Sequence, residues 1–432
     1  MDEEVFNRVL MVAFHYPPAQ ASGTQRALSF SCDLPEFGWE PMILSAHPRA
    51  YDKIDPGQLE EIPPDLLVHR AFALDAARHL AIRGRYFRLT ATPDRWSSWF
   101  LGGVPAGLQW IRRYRPKVIW TTYPVPTALL IGHALHRLSG LPWVVDLRDP
   151  LVSGQHPHDP GLKSTFRTIE RNSVHRCTRI VVSTPGLQRF LAARYPELPP
   201  EKWLVLPNGY DEKSFRRYTS LSGVRHPSEG VLTLVHSGTL YTGADERNPG
   251  PFLHALALLR DQGLIGSADE NGPEKIGLRI ILRATGHDAV INAMIKKRGL
   301  TDIVVTAPLL PYQQAIAEIF QVDGLLLFQG EGFNHLIPAK LFEYLRTFRP
   351  IFALIGEQGD SAQILRQAGI QTCAPLEKVA AILPVFKQFL LQIRTGQVNL
   401  PNKEIVANYS RRVQTKRLAE LFDSMTKENH HA

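Results

Sequence analysis

Apolar and polar positions alternate along this chain with the spacing of an α/β protein. Short runs rich in Val, Ile and Leu are separated by longer amphipathic stretches, which is typical of strands joined by crossover helices. In the first half, the pattern predicts these strands: Arg8 to Phe14, Pro41 to Ser45, Lys117 to Thr122, Trp143 to Leu147, Arg179 to Ser183 and Trp203 to Leu206. Because the runs are almost continuously apolar, we expect a parallel sheet buried on both faces.

The alternation stops in the middle of the chain and then begins again. After the turn dipeptide Asn208-Gly209, a polar stretch through Pro227 has no hydrophobic period and is predicted to be an interdomain linker. The second set of predicted strands is Val231 to Ser237, Leu278 to Ala284, Ile303 to Ala307, Gly324 to Phe328 and Pro350 to Ile355. Residues 264–276 read as a polar loop, and Glu404 to Met425 as one long amphipathic helix. Two Rossmann-like domains facing each other across a cleft are the simplest architecture.

Composition agrees with two globular domains. The chain has 432 residues, 44% of them hydrophobic, which suits two cores of about 200 residues each. The first residues lack the basic start of a signal peptide, and no apolar run is long enough to cross a bilayer. Three scattered cysteines indicate neither a disulfide framework nor a zinc site. We therefore expect a cytoplasmic protein.

Two segments of the first half end a predicted strand in chemically useful residues. His15-Tyr16-Pro17-Pro18 is followed by Ser22-Gly23-Thr24-Gln25-Arg26, where Gly23 would let a ligand approach the start of a helix. The alternative is that Ser22 only caps that helix. Neither segment has the glycine spacing of a dinucleotide site or a P-loop. The strand Val144 to Leu147 runs into Arg148 and Asp149, which would supply a base or a hydroxyl-binding carboxylate, or close the loop as an Asp-Arg ion pair.

The second half carries the strongest chemical pattern. Gly238 follows a strand, and Arg247 further on is a bidentate donor suited to a diphosphate. Downstream, Pro338 is predicted to be the first residue of a helix, so that Lys340 lies in the first turn and Glu343 on the same face. A lysine there opposes the helix dipole and indicates an anionic partner, while the carboxylate could accept both hydroxyls of a ribose. A plain Lys-Glu surface pair is the alternative.

These motifs, in this order, resemble the GT-B glycosyltransferases, and within them the family 4-like group of cell-surface polysaccharide biosynthesis. The resemblance extends to about residue 370 and rests on these segments: HYPP with SGTQR, Pro93-Asp94 with Trp96, VVDLRDP, VVSTPGLQRFL, VLPNGYD, HSGTLY with Arg247 and Pro249, and PAKLFEYL with RPIFALIG. It implies an acceptor-binding domain at residues 1–208, a nucleotide-sugar-binding domain at 209–402, and a helix at 403–432 that crosses back to the first domain.

The resemblance also implies an activity and a set of site residues. The activity would be transfer of a sugar from a nucleotide-diphosphate donor to a lipid-linked or polysaccharide acceptor, with retention of configuration and with neither an essential metal nor another cofactor. Glu343 would bind the ribose, Arg247 and Lys340 the diphosphate, with Gly238 beside them. Gly23 would approach the sugar or its phosphate, and Arg148 with Asp149 would lie near the acceptor.

The chain departs from the family pattern at one glutamate. The family has two glutamates separated by seven residues, and the first would fall on His335 here. Glu331 is an offset candidate with 11 residues between it and Glu343, and Asn334 with His335 could take over the contacts to the sugar. Two alternatives therefore stay open: a sugar-nucleotide 2-epimerase on the same fold, and a non-catalytic nucleotide-sugar-binding assembly protein.

The net charge is concentrated in one segment of the first domain. The formal charge is +8, and residues 70–117 hold ten basic and two acidic side chains, so the rest of the chain is neutral overall. Large aromatic residues are interleaved with these bases: Phe72, Tyr86, Phe87, Trp96, Trp99, Phe100, Trp110 and Tyr114. This mixture favours the anionic inner face of a membrane over nucleic acid. The alternative is a solvated basic face whose aromatic residues lie in the core.

Overall fold

A computed structural model of the chain describes residues 7–21, 23–154, 156–218, 230–241, 243 and 247–428. Contacts between Cα atoms divide the chain into two compact units. Residues 1–207 and 411–432 form the first unit, and residues 208–410 form the second. Each unit is built around one twisted parallel sheet with helices on both faces.

The first unit contains seven parallel strands. They are β1 (Asn7–Val12), β2 (Trp39–Ala46), β3 (Leu67–Ala71), β4 (Val118–Thr122), β5 (Trp143–Leu147), β6 (Arg179–Val182) and β7 (Trp203–Val205). Its helices before the second unit are α1 (Thr24–Asp33), α2 (Ala76–His79), α3 (Trp99–Tyr114), α4 (Pro126–Ser139), α5 (Pro160–Arg176) and α6 (Pro185–Arg194). The strand order is β3-β2-β1-β4-β5-β6-β7, so that Val9 of β1 pairs with Pro41 on one side and Val118 on the other.

The second unit repeats this plan. Its strands are β8 (Leu232–Ser237), β9 (Ile265–Gly266), β10 (Ile276–Arg283), β11 (Val304–Ala307), β12 (Gly324–Phe328), β13 (Ile351–Leu354) and β14 (Cys373–Ala374). Its helices are α7 (Glu212–Arg216), α8 (Gly250–Asp261), α9 (Asp288–Lys297), α10 (Tyr312–Gln321), α11 (Ala339–Thr347), α12 (Asp360–Gln367), α13 (Val379–Thr395) and α14 (Lys403–Ala407). The order is β11-β10-β8-β12-β13-β14, and the short β9 pairs with β10.

The strand order explains where a ligand can bind in each unit. In both sheets the chain starts in the middle, at β1 or β8, and later strands are added on either side. The crevice beyond the carboxyl end of such a central strand is where open α/β sheets bind ligands. Gly23 follows β1 and Gly238 follows β8, so both predicted glycines lie at these points.

The last helix belongs to the first unit. This helix, α15 (Arg411–Glu428), packs on the sheet face that α1 covers, and its Leu418, Ala419, Phe422 and Met425 are buried there. Trp39 Nε1 of β2 donates to Asp423 Oδ1 at 2.9 Å, which ties the helix to the sheet. The predicted return of the C-terminal helix is confirmed, because the final residues complete a core that the first residues begin.

Several predicted elements differ from the structure. The single helix predicted from Glu404 to Met425 is wrong, since α14 ends at Ala407 and α15 begins at Arg411 in the other unit. The predicted linker is structured at its start: α7 lies within it, and Phe215 of α7 is fully buried in the second unit. Residues 219–227 of that linker lie outside the described residues. The 264–276 loop contains the short β9.

Candidate active site

The central strand of the second unit ends in a glycine that faces a lysine. Gly238 has φ +126, a backbone conformation that favours glycine, and its N–H donates to Arg283 O at 2.8 Å. A Cβ at this position would overlap the Nζ atom of Lys340. Glycine is therefore required twice here, by the backbone turn and by the lysine that occupies the adjacent space.

Helix α11 is fixed so that Lys340 points at this strand end. The hydroxyl of the buried Tyr344 accepts the backbone N–H of Ser237 at 3.0 Å, and the Arg346 guanidinium donates to both carboxylate oxygens of Glu212 at 2.7 and 2.6 Å. Pro338 is the N-cap with ψ 134, so the prediction that it is the first helical residue is wrong by one position. Lys340 still lies in the first turn.

Lys340 and Arg247 form a site with an excess of positive charge. Burial, followed by the charge of Arg247, lowers the pKa of Lys340 to about 7, and Glu343 opposes this shift. The Arg247 guanidinium lies near the rings of Tyr241 and Phe333, at 6.0 and 5.9 Å from their centroids. Within the described part of the chain, its buried Nε has no hydrogen-bond partner. Two neighbouring cations, one of them poorly hydrated, make a site for an anion.

Glu343 lies on the same face of α11 as Lys340, as predicted. Its Oε1 atom accepts a hydrogen bond from the Tyr312 hydroxyl at 3.2 Å, so α10 contributes to holding the carboxylate. An oriented carboxylate can accept two hydroxyl donors at once.

His236 stabilises the end of β8. It is fully buried, and its two ring nitrogens lie 2.9 Å from Leu326 O and 3.1 Å from Gly238 O. Burial, with a smaller effect of Lys340, holds the pKa of His236 well below its ordinary value. A neutral imidazole carries one N–H and donates to one of these two carbonyl oxygens, so this enclosed ring is a structural group.

The loop between β12 and α11 is fixed by a residue that sequence reasoning missed. The buried Gln329 donates from Nε2 to Phe333 O at 2.5 Å and to Leu336 O at 2.8 Å, and its Oε1 accepts from the Ser361 hydroxyl at 2.6 Å. Gln329 directly follows an apolar strand, as Arg148 does, and that position is the feature by which it could have been found.

The same loop holds the three residues around the missing glutamate. The side-chain amide of Asn334 packs against Gly356 and Gly359, and a Cβ on either glycine would clash with it. The backbone carbonyl of Asn334 accepts the Asp360 N–H at 2.9 Å. Glu331 is exposed in a single 3-10 turn, and His335 is partly buried. Asn334 therefore has a packing role within the loop, and Glu331 is the more accessible of the two candidates for the sugar.

In the first unit, Gly23 and Arg148 are in contact. A Cβ on Gly23 would lie 2.7 Å from Arg148 Nη2 and 3.2 Å from Nη1, so the group that approaches this glycine is the Arg148 side chain. Arg148 Nε donates to Tyr123 O at 2.8 Å, and burial lowers its pKa. Asp149 beside it is exposed. Ser22 lies outside the described residues, and Gly23 is the N-cap of α1.

The buried ion pair of this region is not formed by Arg148. Asp146 pairs instead with Arg26 of α1, whose Nη2 and Nε donate at 2.9 and 3.0 Å, and Thr122 donates to the same carboxylate at 2.9 Å. The buried Asp-Arg ion pair at this strand end therefore joins Asp146 to Arg26 of α1. The charges of Asp146 and Asp149 also act on Arg148 and oppose the lowering of its pKa by burial.

The charge of Arg148 acts on a buried histidine, His15. Burial and the charge of Arg148 lower the pKa of His15 to about 4, and its buried Nδ1 has no hydrogen-bond partner among the described residues. At neutral pH the ring is therefore uncharged.

A buried carboxylate that the sequence did not single out holds the loop after Asp149. Glu170 is fully buried and accepts from the Leu151 N–H at 2.8 Å, from Arg194 at 2.5 Å and from the Tyr195 hydroxyl at 2.9 Å. This network fixes the backbone that carries Arg148 and Asp149.

The part of the chain that the structure describes has neither a membrane-spanning helix nor a cluster of metal ligands. None of its helices combines the length and the apolar character that spanning a bilayer requires. Within the same residues, no three side chains of His, Cys, Asp or Glu gather into a group that could hold a metal ion.

Two parallel α/β units, each with a glycine beyond the carboxyl end of its central strand, define a protein with the GT-B fold. Solved structures share it at 12% sequence identity, which supports the fold alone. Sucrose-phosphate synthase from Thermosynechococcus elongatus has a TM-score of 0.62, covering 98% of this chain and 100% of that chain. HepE from Anabaena, in complex with UDP and glucose, has a TM-score of 0.59, and the match covers 97% of this chain and 100% of that chain. The lipopolysaccharide outer core galactosyltransferase WaaB has a TM-score of 0.59, and the match covers 96% of this chain and 99% of that chain.

The sequence match is more specific than the fold. Residues 9–209 match the model of the glycosyl transferase 4-like domain. No curated protein sequence matches the chain. The predicted resemblance to the GT-B, family 4-like glycosyltransferases is thereby confirmed, and family and fold together support transferase activity.

Proposed function

We propose that this chain transfers a sugar from a nucleoside-diphosphate sugar, bound by the second unit, to a lipid-linked or polysaccharide acceptor bound by the first. The observation that carries the proposal is the pairing of Lys340 with Arg247 at the turn of Gly238. A lysine whose pKa is lowered to about 7 gains most from a bound anion, because the anion restores the interactions lost on burial.

The donor would bind with its diphosphate on Lys340 and Arg247 and its ribose on Glu343. Glu343 is held by Tyr312 on the face of α11 that carries Lys340. The structural neighbour HepE binds UDP and glucose, which supports a nucleotide sugar as the ligand. In this pose the two cations would stabilise the charge that develops on the leaving diphosphate, the largest contribution in most transfers of this kind.

The first unit would bind the acceptor near Arg148 and Asp149. Arg148, which contacts Gly23 and has Asp146 and Asp149 as charged neighbours, would attract an anionic group of the acceptor or the donor. Arg148 cannot act as a conventional base, so Asp149 is the candidate for that role. We propose retention of configuration without a metal, as the family resemblance implies, with Glu331 or His335 contacting the donor sugar.

The experiment is a thermal-stability screen with UDP-, GDP- and dTDP-sugars. One of them is expected to raise the free energy of unfolding by about 2.7 kcal/mol at a concentration of about 100 Kd. Glu343→Ala is expected to weaken that ligand about 10- to 100-fold, because a charged hydrogen-bond acceptor is lost. The exposed Glu377→Ala serves as the matched control.

The result separates the three candidate functions. If no nucleotide sugar stabilises the chain, or if Glu343→Ala binds as tightly as the wild type, the donor site is wrong. If a nucleotide sugar binds, and if adding acceptor lipids releases the nucleoside diphosphate from it, the protein is a transferase. Inversion of the sugar at C2 marks an epimerase, and binding without either reaction marks an assembly protein.

A further inference from the structure

Six of the eleven exposed large apolar side chains among the described residues of the first unit fall between residues 80 and 101. Large apolar residues that stand out into solvent there are Ile82 (75% exposed), Phe87 (79%), Leu89 (85%), Leu101 (72%), Tyr86 (43%) and Leu80 (37%). We call these six residues the apolar rim. An exposed apolar side chain forgoes about 1.5–3 kcal/mol of burial, so a group of them marks an interaction surface.

The rim is held at the carboxyl edge of the first sheet. It lies on the segment that follows β3 and on the first turn of α3. Arg88, between Phe87 and Leu89 of the rim, donates to Asp159, the N-cap of α5, at 2.5 Å. The Ser97 hydroxyl donates to Thr90 O at 2.7 Å. Because α5 follows β5, these bonds keep the rim at the edge where Arg148 also lies.

A tight turn presents the centre of the rim. Ile82 and Arg85 form an isolated antiparallel bridge, and Arg83 and Gly84 between them have φ values of 51 and 77. Ile82 and Arg83 are thereby carried at the tip of a small hairpin, and both are exposed.

The two bases of the hairpin differ from the other bases near the rim, because they form no ion pair among the described residues. Arg78, Arg88 and Arg95 of the basic segment form ion pairs with acids. Arg83 and Arg85 form none within the described residues, and both are exposed at the tip of the hairpin. The exposed bases Arg112, Arg113, Arg115 and Lys117 lie at the other end of α3, just before β4 begins, and are therefore not part of this surface.

The structure changes the residues assigned to the predicted membrane segment 70–117. Trp99 is fully buried, and Trp96, Phe100, Trp110 and Tyr114 pack against the core. Only Phe72, Tyr86 and Phe87 of the predicted aromatic set are exposed, and the aliphatic rim residues were not foreseen. The core alternative therefore holds for most of the aromatic residues, and the surface is smaller than the segment.

We propose that the apolar rim docks this chain on an anionic lipid surface, with Arg83 and Arg85 among the headgroups. The rim side chains protrude singly from an irregular loop and alternate with bases, as in Ile82-Arg83 and Phe87-Arg88-Leu89. A bilayer accepts such a surface without shape complementarity, and its negative charge complements the unpaired arginines. Docking there brings the carboxyl edge of the first sheet to the membrane. The proposal stands without the proposed function, because it concerns binding to lipid alone.

The test is flotation of the full chain with vesicles of phosphatidylcholine, with and without phosphatidylglycerol, in the absence of donor and acceptor. Binding is expected only to the anionic vesicles and is expected to weaken at high salt. The triple variant I82S/F87S/L89S should lower the partition coefficient more than tenfold. The double variant R83S/R85S should lower it about thirtyfold at low salt, as two cations at the surface predict.

The matched control carries L138S/L309S/L391S, three exposed leucines elsewhere in the chain. It should bind vesicles as the wild type does, and all variants should keep the wild-type melting temperature. Failure of the wild type to bind anionic vesicles, or equal losses in control and rim variants, would overturn the proposal. So would a wild-type homodimer that dissociates on I82S/F87S/L89S while vesicles are ignored, because the rim would then be a protein interface. Stabilisation by a nucleotide sugar is read separately on the same variants.

Discussion

At the residue scale, each unit has a glycine that makes room for a cationic side chain at the carboxyl edge of its sheet. Gly238 makes room for Lys340 Nζ, and Gly23 makes room for the Arg148 guanidinium. The two glycines differ in backbone, because Gly238 has a positive φ while Gly23 has φ −75. An alanine at position 23 would thus displace the Arg148 side chain without straining the backbone. An alanine at position 238 would displace the Lys340 side chain and also strain the backbone.

The lowered pKa of Lys340 leads to a prediction about pH. Above about pH 7 the free lysine is largely neutral, and a bound diphosphate would raise its pKa and draw in a proton. Donor affinity is therefore expected to fall up to tenfold per pH unit above about pH 7, with uptake approaching one proton. Calorimetric titration with a nucleotide sugar, in two buffers of different ionisation enthalpy, measures both quantities.

Lys340→Arg is the control for this prediction, because arginine stays charged over the whole range and should flatten the profile. A wild-type affinity that is constant above neutral pH, or a slope that survives in Lys340→Arg, would contradict it. Folding provides an independent check of the sign. The unfolded lysine, with its ordinary value of 10.5, binds more protons than the folded one, so the contribution of Lys340 to stability rises as pH increases from about 7 towards 10.5.

At the element scale, the β12–α11 loop depends on one side chain. Gln329 makes three hydrogen bonds, to Phe333 O, Leu336 O and the Ser361 hydroxyl. These contacts set the path of the chain from the sheet to the first turn of α11, which carries Lys340. A rigid loop is what keeps a binding residue in register with its ligand.

Gln329→Leu is expected to leave two carbonyls and a hydroxyl without their partner, at a cost of about 1–3 kcal/mol for each group that stays buried. Amide hydrogen exchange of residues 331–337 should accelerate, and donor affinity should drop while Lys340 and Arg247 are intact. Ser361→Ala removes one of the three bonds and should give a smaller change in the same direction. Equal exchange rates in Gln329→Leu and wild type would show that the loop is held by other contacts.

The apolar patterns predict the mostly apolar strands, including the edge strands β7 and β11, and miss the polar or very short ones. The limits of β5 agree with the prediction, because all five of its residues are buried and four of them are apolar, with Asp146 as the exception. The edge strand β3 was missed because its sequence LVHRA includes a histidine and an arginine on a partly exposed strand. The two-residue strands β9 and β14 are too short to show any period. For the site, position in the chain predicted that Lys340 and Glu343 share a face.

Other features of the site depend on the fold and could not be read from local sequence. Asp146 and Arg148 are near neighbours in sequence, yet the partner of Asp146 is Arg26 on α1, 120 residues away. The contact of Gly23 with Arg148 likewise joins two distant segments. Such pairings follow from the strand order β1-β4-β5, which brings the ends of non-consecutive strands together.

At the scale of the whole molecule, the first unit is closed by the last helix of the chain. Helix α15 contributes Leu418, Phe422 and Met425 to the core that Val9 and Trp39 begin. The rings of Trp39 and Phe422 meet edge to face with centroids 5.1 Å apart. Arg412 forms an exposed ion pair with Glu36 at 2.6 Å, which adds little stability beside this apolar contact. The first unit can therefore finish folding only after the second has been synthesised.

Phe422→Ala is expected to destabilise the first unit by about 3–5 kcal/mol, because it empties the space beside Trp39 in a closed core. Hydrogen exchange should accelerate in α1, α15 and β2, while stabilisation of the second unit by a nucleotide sugar should persist. Glu420→Ala, an exposed position on the same helix, should leave both unchanged. If Phe422→Ala were as stable as Glu420→Ala, α15 would not belong to the core of the first unit. If it also abolished nucleotide-sugar binding, the second unit would depend on the first for its fold.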